Sequence, residues 1–135
     1  MDINPSDDEL PPNTHFIKTD VSSWESLREA VTKIGHIDIA VANAAVSETV
    51  PFFQDEFDEH GQLKEPNGLL LDVNIHGVIN FVKLALHQMR KQKTEGSIVI
   101  TSSATAYAPE QSLPVYSAGK HAVCNGVERQ NEITD

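Results

Sequence analysis

IDIAVANAA, residues 37–45, is a short and almost continuously apolar stretch. A run of this kind is typical of a strand buried on both faces of a parallel sheet, because helices cover both sides of such sheets. Two similar stretches flank it along the chain, HFIKTDV (15–21) before it and GSIVITSS (96–103) after it. The sequence therefore predicts three strands.

Helix candidates alternate with these strands. SSWESLREAVTKIG (22–35) carries apolar residues at helical spacing, with one of its leading serines as the N-cap and Gly35 as the C-terminal stop. LLLDVNIHGVINFVKLALHQMRKQ (69–92) is the longest candidate, and a last helix is expected from about Val115. The expected inner face of the long helix consists of Leu70, Val73, Gly77, Phe81, Leu84 and Met89. Alternating strands and helices are the signature of parallel βαβ units, so the predicted fold class is α/β.

The composition is that of an ordinary globular domain and narrows its partners. The 135 residues suffice for one small domain, and the formal net charge of -10 argues against binding to nucleic acid or to an anionic membrane. No apolar run reaches the ~20 residues of a membrane span, and MDINPSDDEL (1–10) does not resemble a signal peptide. Cys124 is the single cysteine, so a disulfide within the chain is excluded and a cytoplasmic location is expected. The six histidines show no paired ligand spacing, so no metal site is predicted.

Tyr116 and Lys120 lie four residues apart in PVYSAGKHAV (114–123), so a helix places both on one face. A phenol is a poor base at neutral pH because its free pKa is near ~10, and a nearby ammonium stabilises the phenolate. Such a pair can exchange a proton with an alcohol or carbonyl oxygen. The same spacing also arises by chance, so the pattern alone leaves an ordinary helix start open.

Two polar residues favour the catalytic interpretation. Ser103 ends the third predicted strand, and α/β sheets bind ligands beyond the carboxyl ends of their strands. Asn74 lies within an otherwise apolar helix, where an unpartnered buried amide costs roughly 1–3 kcal/mol. Each residue also has a structural interpretation, as a strand-ending hydroxyl for Ser103 and as a satisfied buried amide for Asn74.

These four residues resemble the Asn-Ser-Tyr-Lys tetrad of the short-chain dehydrogenases/reductases. Further motifs of that family occur in the same order: TDV (19–21), VANAA (41–45), DVNIHG (72–77), GSIVITSS (96–103) and YSAGK (116–120). The resemblance implies a partial Rossmann-type doubly wound parallel sheet, made of the family's strands 3, 4 and 5 with their helices. It also implies an NAD(P)-dependent oxidoreductase that transfers hydride between a nicotinamide cofactor and a small alcohol or carbonyl substrate.

The resemblance implies a role for each member of the tetrad. Tyr116 is expected as the catalytic acid/base, with Lys120 stabilising its phenolate and holding the nicotinamide ribose. Ser103 is expected to orient and polarise the substrate oxygen, and Asn74 to hold a water of the proton relay.

The same resemblance implies a set of cofactor-binding residues, to which the tyrosine and lysine of the tetrad also belong. Asp20 is expected to contact the adenine with Val21 packed beside it, while Asn43 and Ala44 line the cofactor cleft. VANAA departs from the family's Asn-Asn-Ala-Gly motif, because alanines stand in place of the first Asn and of the Gly. The methyl group of the last alanine is expected to crowd the backbone near the cofactor.

Asp2 resembles the acidic residue that ends the second strand of NAD-using relatives, so NAD is expected to be slightly preferred over NADP. The family's glycine-rich βαβ unit and its C-terminal substrate segment have no counterpart in residues 1–135, which are therefore expected to form a single incomplete domain. Such a chain is expected to fold marginally, to bind dinucleotide weakly and to be inactive alone. The alternative is a non-catalytic remnant or interaction module that pairs with a full-length relative as a homo- or hetero-oligomer.

Overall fold

The computed structural model describes residues 1–4 and 9–125, in which strands alternate with helices. The elements in chain order are helix α1 (Trp24–Ile34), strand β1 (Ile39–Ala42), helix α2 (Leu69–Gln92), strand β2 (Ser97–Ile100), a 3₁₀ turn (Ala104–Ala106) and helix α3 (Pro114–Asn125). The acidic stretch between β1 and α2 is mostly irregular, with an isolated antiparallel bridge between Phe57 and Leu63. The predicted α/β class is confirmed.

Strands β1 and β2 pair in parallel, with Ile39 opposite Ser97 and Ala42 opposite Ile100. The backbone N–H of Thr101 donates to the carbonyl oxygen of Ala42 at 3.0 Å and extends the ladder by one bond. Parallel neighbours cannot be joined by a tight turn and need a long crossover, which α2 and the loop before it supply. The result is a small parallel sheet of the partial Rossmann type that the sequence predicts.

The strand predicted over residues 15–21 is reduced to a single parallel bridge between Asp2 and Lys18. The N–H of Asp2 donates to the carbonyl of Ile17 at 3.3 Å, and the N–H of Thr19 donates to the carbonyl of Asp2 at 2.8 Å. A strand requires a ladder of such bonds, and Asp2 alone provides them among the described residues. An extended segment counts as a β-strand only when it pairs with a neighbour, and the sequence pattern does not show whether a neighbour is present. The pattern therefore predicted a longer strand than the structure contains.

The hydrophobic core lies on one face of the sheet, between the strands and helices α1 and α2. Its members are Leu27, Val31, Ile37, Ala40, Ala42, Phe81, Leu84, Ala85 and Met89. The opposite face of the sheet, here called the open face, consists of Ile39, Val41 and Val99, which are 68%, 53% and 50% exposed. The expectation that β1 is buried on both faces is therefore wrong, because α1 and α2 both cover the side of Ala40 and Ala42.

Helix α1 begins and ends where the sequence predicts. The side chain of Ser23 accepts a hydrogen bond from the N–H of Ser26, which makes it the N-cap. At the other end Gly35 has a φ of 78° and donates its N–H to the carbonyl of Val31. A left-handed residue at this position favours glycine, since a Cβ would be strained there.

Helix α2 contains a π-helical stretch, Asp72–Gly77, close to its start. Of the predicted inner face all members are buried except Val73, which is half-buried. Gly77 permits a close approach to the chain before α1, because a Cβ at this position would lie 3.0 Å from the carbonyl oxygen of Val21. By length and composition α2 could also cross a membrane, but its apolar face packs against the core of this domain.

The position of the core predicts that leucine-to-alanine substitutions on the two sides of α2 differ in their effect on stability. Leu84→Ala should lower the free energy of unfolding by about 2–5 kcal/mol, because it leaves a cavity at a position that is 7% exposed. Leu71→Ala, on the solvent side of α2 at 40% exposure, should cost less than about 1 kcal/mol. Urea denaturation of both variants measures the difference, and equal losses would contradict this assignment of the inner face.

Candidate active site

The candidate site lies at the carboxyl edge of the two-stranded sheet. Because parallel strands end at the same edge, the segment after β1 and the serines after β2 come to one side of the molecule. Helix α3 contacts this edge through Ser102, whose hydroxyl donates to the carbonyl of Lys120 at 2.9 Å. The helix that carries the predicted tyrosine and lysine is thereby tied to the end of β2.

Lys120 reaches the end of β2 with its side chain. Its Nζ donates to the carbonyl oxygen of Thr101 at 2.8 Å and lies 5.7 Å from the centre of the Tyr116 ring. Tyr116 is half-buried, whereas Lys120 is only 4% exposed. Burial lowers the pKa of Lys120 below its usual value, because the charged ammonium loses hydration there. The predicted pairing of these two side chains on one helix face is present.

Ser103 follows Ser102 and begins the 3₁₀ turn. Its hydroxyl oxygen accepts hydrogen bonds from the N–H of Thr105 at 3.2 Å and from the hydroxyl of Thr105 at 3.0 Å. A serine oxygen has two lone pairs and one hydrogen. These two bonds use both lone pairs and leave the O–H of Ser103 as a donor.

Asn74 is fully buried in the π-helical stretch of α2 and is held by the backbone of Val46. Its Oδ1 accepts from the N–H of Val46 at 2.9 Å, and its Nδ2 donates to the carbonyl of the same residue at 2.8 Å. Of the two interpretations of Asn74 that the sequence left open, the satisfied structural amide is present. One N–H and one oxygen lone pair of this amide remain for a water.

Sequence reasoning missed Glu48, which lies two residues after Val46. Its Oε1 accepts from the N–H of Val115 at 2.9 Å, and its Oε2 accepts from the N–H of Tyr116 at 3.1 Å. The carboxylate caps α3 from 67 and 68 residues away in sequence. A local sequence motif does not reveal a partner so distant. The apolar Leu113 before the helix does indicate that the N-cap acceptor must come from another part of the chain.

The predicted cofactor-binding residues fall into two groups. Asp20 and Val21 precede α1, where the carboxylate of Asp20 accepts from the N–H of Ser22 at 2.9 Å and from its hydroxyl at 2.6 Å. Asp2 is exposed and belongs to the same side of the molecule through its bridge to Lys18. The second group, Asn43 and Ala44, is exposed directly after β1 and is joined to the tetrad residue Asn74 through Val46.

A cavity of about 610 Å³ lies beside the start of α3. The loop after β1 forms most of its wall, and Leu69, Leu70 and Val115 complete it. Glu48 belongs to this wall, so the carboxylate that caps α3 also borders the cavity that Val115 lines. A second cavity of about 810 Å³ adjoins the same helix at Ser117 and His121.

The parallel sheet, its crossover helix and the polar residues at its carboxyl edge define an α/β protein of the Rossmann type. The family model of the short chain dehydrogenases matches residues 6–130, and the chain belongs to that family. The chain is 58% identical over 121 residues to the short-chain dehydrogenase/reductase prx4 of Penicillium roqueforti, covering 89% of this chain and 37% of that protein. It is 46% identical over 116 residues to ATR7 of Stachybotrys chlorohalonatus, covering 85% of this chain and 36% of that protein.

Solved structures show the same likeness. A short-chain type dehydrogenase/reductase from Mycobacterium marinum superimposes with a TM-score of 0.66 at 26% identity, covering 79% of this chain and 43% of that structure. ElxO with NADP bound superimposes with a TM-score of 0.63 at 28% identity, covering 81% of this chain and 43% of that structure. The chain thus spans only about 37% of the length of the first curated relatives it matches, and less than half of these solved chains.

The buried ammonium of Lys120 predicts a pH dependence of stability. A folded-state pKa below the unfolded value of 10.5 means that the native state binds fewer protons than the unfolded state between the two values. The stability of the parent relative to Lys120→Met should therefore rise as the pH increases through this window, and the gain should disappear as the pH falls below the folded-state value. Denaturant titrations from pH 7 to 10 measure this difference.

The comparison variant is Lys83→Met, which removes an exposed ammonium from α2 instead of a buried one and is measured over the same pH range. A difference for Lys120→Met that stays constant or falls with rising pH would contradict a lowered pKa of Lys120.

Proposed function

We infer that these residues form the catalytic half of an NAD(P)-dependent oxidoreductase site acting on an alcohol or carbonyl compound. One observation carries the proposal: the buried ammonium of Lys120 lies beside the Tyr116 ring at the end of β2. Family membership favours this function over the alternative of a non-catalytic interaction module. The single cysteine is consistent with a cytoplasmic location, which belongs to the same proposal.

Each side chain has a definite task in this proposal. The hydroxyl of Tyr116 exchanges a proton with the reacting oxygen, as a positioned acid/base does. Lys120 stabilises the phenolate form through its positive charge, and Ser103 donates its O–H to the same substrate oxygen. Asn74 fixes the segment after β1 against α2, so that the cleft and the acid/base keep their relative positions.

A nicotinamide dinucleotide supplies the hydride chemistry when it is bound, and the residues present fit part of it. Asn43 and Ala44 offer an exposed edge after β1, and the carboxylate of Asp20 lies before α1, where it accepts from the N–H of Ser22. The pyrophosphate of such a cofactor is commonly held by a Gly-x-Gly-x-x-Gly turn, which the 135 residues do not contain. We therefore propose that these residues contact the nicotinamide and adenine ends of the dinucleotide and not its pyrophosphate.

The proposal predicts that Tyr116→Phe abolishes turnover while cofactor binding remains. We would place residues of this chain in the matching segment of the Penicillium roqueforti relative, because that protein is 58% identical here and is longer. In this chimera Tyr116→Phe should lower kcat about 10²–10⁴-fold with little change in the Kd for the cofactor. Steady-state kinetics and a fluorescence titration with NADH and NADPH measure the two quantities.

Tyr107→Phe is the matched control, because Tyr107 is 78% exposed and lies in the same region of the chain. It should leave kcat within about twofold of the parent. Retention of more than half of the parental activity by Tyr116→Phe would overturn the proposal.

The proposed preference for NAD rests on the exposed carboxylate of Asp2. A carboxylate accepts hydrogen bonds from the two ribose hydroxyls and repels a 2′-phosphate. In the chimera Asp2→Ser should shift the ratio of NADPH to NADH affinity towards NADPH by about tenfold, equivalent to about 1.4 kcal/mol. Tighter binding of NADPH than of NADH by the parent chimera would contradict the preference, and the NADP bound to ElxO shows that a relative takes that cofactor.

A further inference from the structure

Helix α3 starts without a capping residue of its own. Pro114 is its first residue and has no N–H, and the N–H of Ser117 donates to the carbonyl of Leu113 at 2.9 Å. Leu113 therefore holds the N-cap position, but its side chain has no acceptor. The N–H groups of Val115 and Tyr116 point out of the helix end and need partners from another part of the chain.

Glu48 supplies both partners with one carboxylate. Each oxygen takes one N–H, at 2.9 Å for Val115 and at 3.1 Å for Tyr116. Bonds from an N–H to an ionised acceptor are about twice as strong as neutral ones, and a negative charge at a helix N-terminus is also favoured by the helix dipole. The pair of bonds fixes the direction in which α3 leaves the loop as well as its distance from Glu48.

The segment that carries Glu48 is itself held in place. Val46 is bound twice by Asn74 of α2, and Glu48 is bound twice by the first turn of α3. Four hydrogen bonds within three residues thus connect the end of β1 to the two helices that carry Asn74 and Tyr116. A movement of α3 relative to Asn43 and Ala44 must break or stretch these bonds.

We propose that Glu48 is a positioning residue of this site: its carboxylate holds the backbone of Tyr116 so that the phenol keeps its place relative to the cofactor cleft. The effect on turnover rests on the proposed function, whereas the contact with α3 does not. Positioning of this kind matters because a displacement of about 1 Å can cost on the order of 10² in rate.

The test uses the chimera described above and measures two properties of the same variants. Hydrogen exchange of peptides covering residues 113–120 reports the cap, and steady-state kinetics report turnover. Glu48→Ala removes both acceptors, so exchange at the start of α3 should rise at least about tenfold while α1 is unchanged. Its kcat should fall about 10–100-fold, with the KM for the cofactor within about twofold of the parent.

Two further variants distinguish positioning from general damage. Glu48→Gln keeps one acceptor oxygen of the same length, so its losses should be smaller than those of Glu48→Ala in both measurements. Glu65→Ala removes an exposed carboxylate from the same loop and the same cavity wall, and it should change neither measurement. A purely structural role would lower the amount of folded enzyme without changing kcat per folded molecule.

The possible results separate this inference from the proposed function. An inactive parent chimera would refute the function, and exchange at residues 113–120 would still decide whether Glu48 holds α3. Unchanged exchange in Glu48→Ala would overturn the contact, and a kcat within twofold of an active parent would overturn the positioning role. If Glu48→Ala does not fold, Glu48→Gln decides the question. Hydrogen exchange and kcat equal to those of the parent in this variant would overturn the inference.

Discussion

The parallel pairing of β1 with β2 is the constraint on which the other features depend. Two parallel strands can be adjacent only if the chain travels back along the sheet between them, and α2 makes that return. The return places the core on the side of α2 and brings both strand ends to the same edge. The candidate-site residues Asn43 and Ser103 follow the ends of β1 and β2. The others, Asn74, Tyr116 and Lys120, lie on the helices α2 and α3 that pack at this edge.

Several side chains at this edge of the sheet form hydrogen bonds with backbone groups of other elements. Lys120 and Asn74 each use a polar side chain to bind a carbonyl oxygen of another element, at Thr101 and Val46. Ser102 and Glu48 likewise bind backbone groups of α3. Side chains that bond to backbone in this manner fix whole segments relative to one another, because a backbone group moves together with the element to which it belongs.

The sequence predicted those parts of the molecule that depend on neighbours along the chain. Helix α1 with its serine cap and its glycine stop, the extent of α2 and the shared face of Tyr116 and Lys120 all follow from spacings of one to four residues. Ser103 is a candidate because it ends a predicted strand and Asn74 because it lies in an apolar helix, and the family motifs then join both to Tyr116 and Lys120. The tetrad and cofactor roles of these residues are still predictions, since contacts describe where the side chains lie and not what they react with.

The features that the sequence did not predict depend on contacts between residues far apart in the chain. Strand 15–21 failed as a strand because the pattern of a strand does not reveal whether a neighbour is present, and only Asp2 bridges to it among the described residues. The open face of β1 could not be foreseen for the same reason, since an apolar residue is equally compatible with a covered and an uncovered sheet. Glu48 lies in a loop of unremarkable composition, and its partners on α3 are 67 and 68 residues away.

The π-helical stretch Asp72–Gly77 gives α2 a tolerance in length that the rest of the helix lacks. Successive residues of an α-helix are rotated by about 100° about its axis, and a π-type turn accommodates one residue more than an α-turn does. Deleting one residue from this stretch would therefore let the chain form a regular α-helix, and the turns on either side would keep their directions towards the core. The same deletion between Leu84 and Met89 would rotate the end of α2 by about 100° and carry Met89 out of the core. The loss of one codon is thus absorbed near the site but disrupts the packing further along the helix.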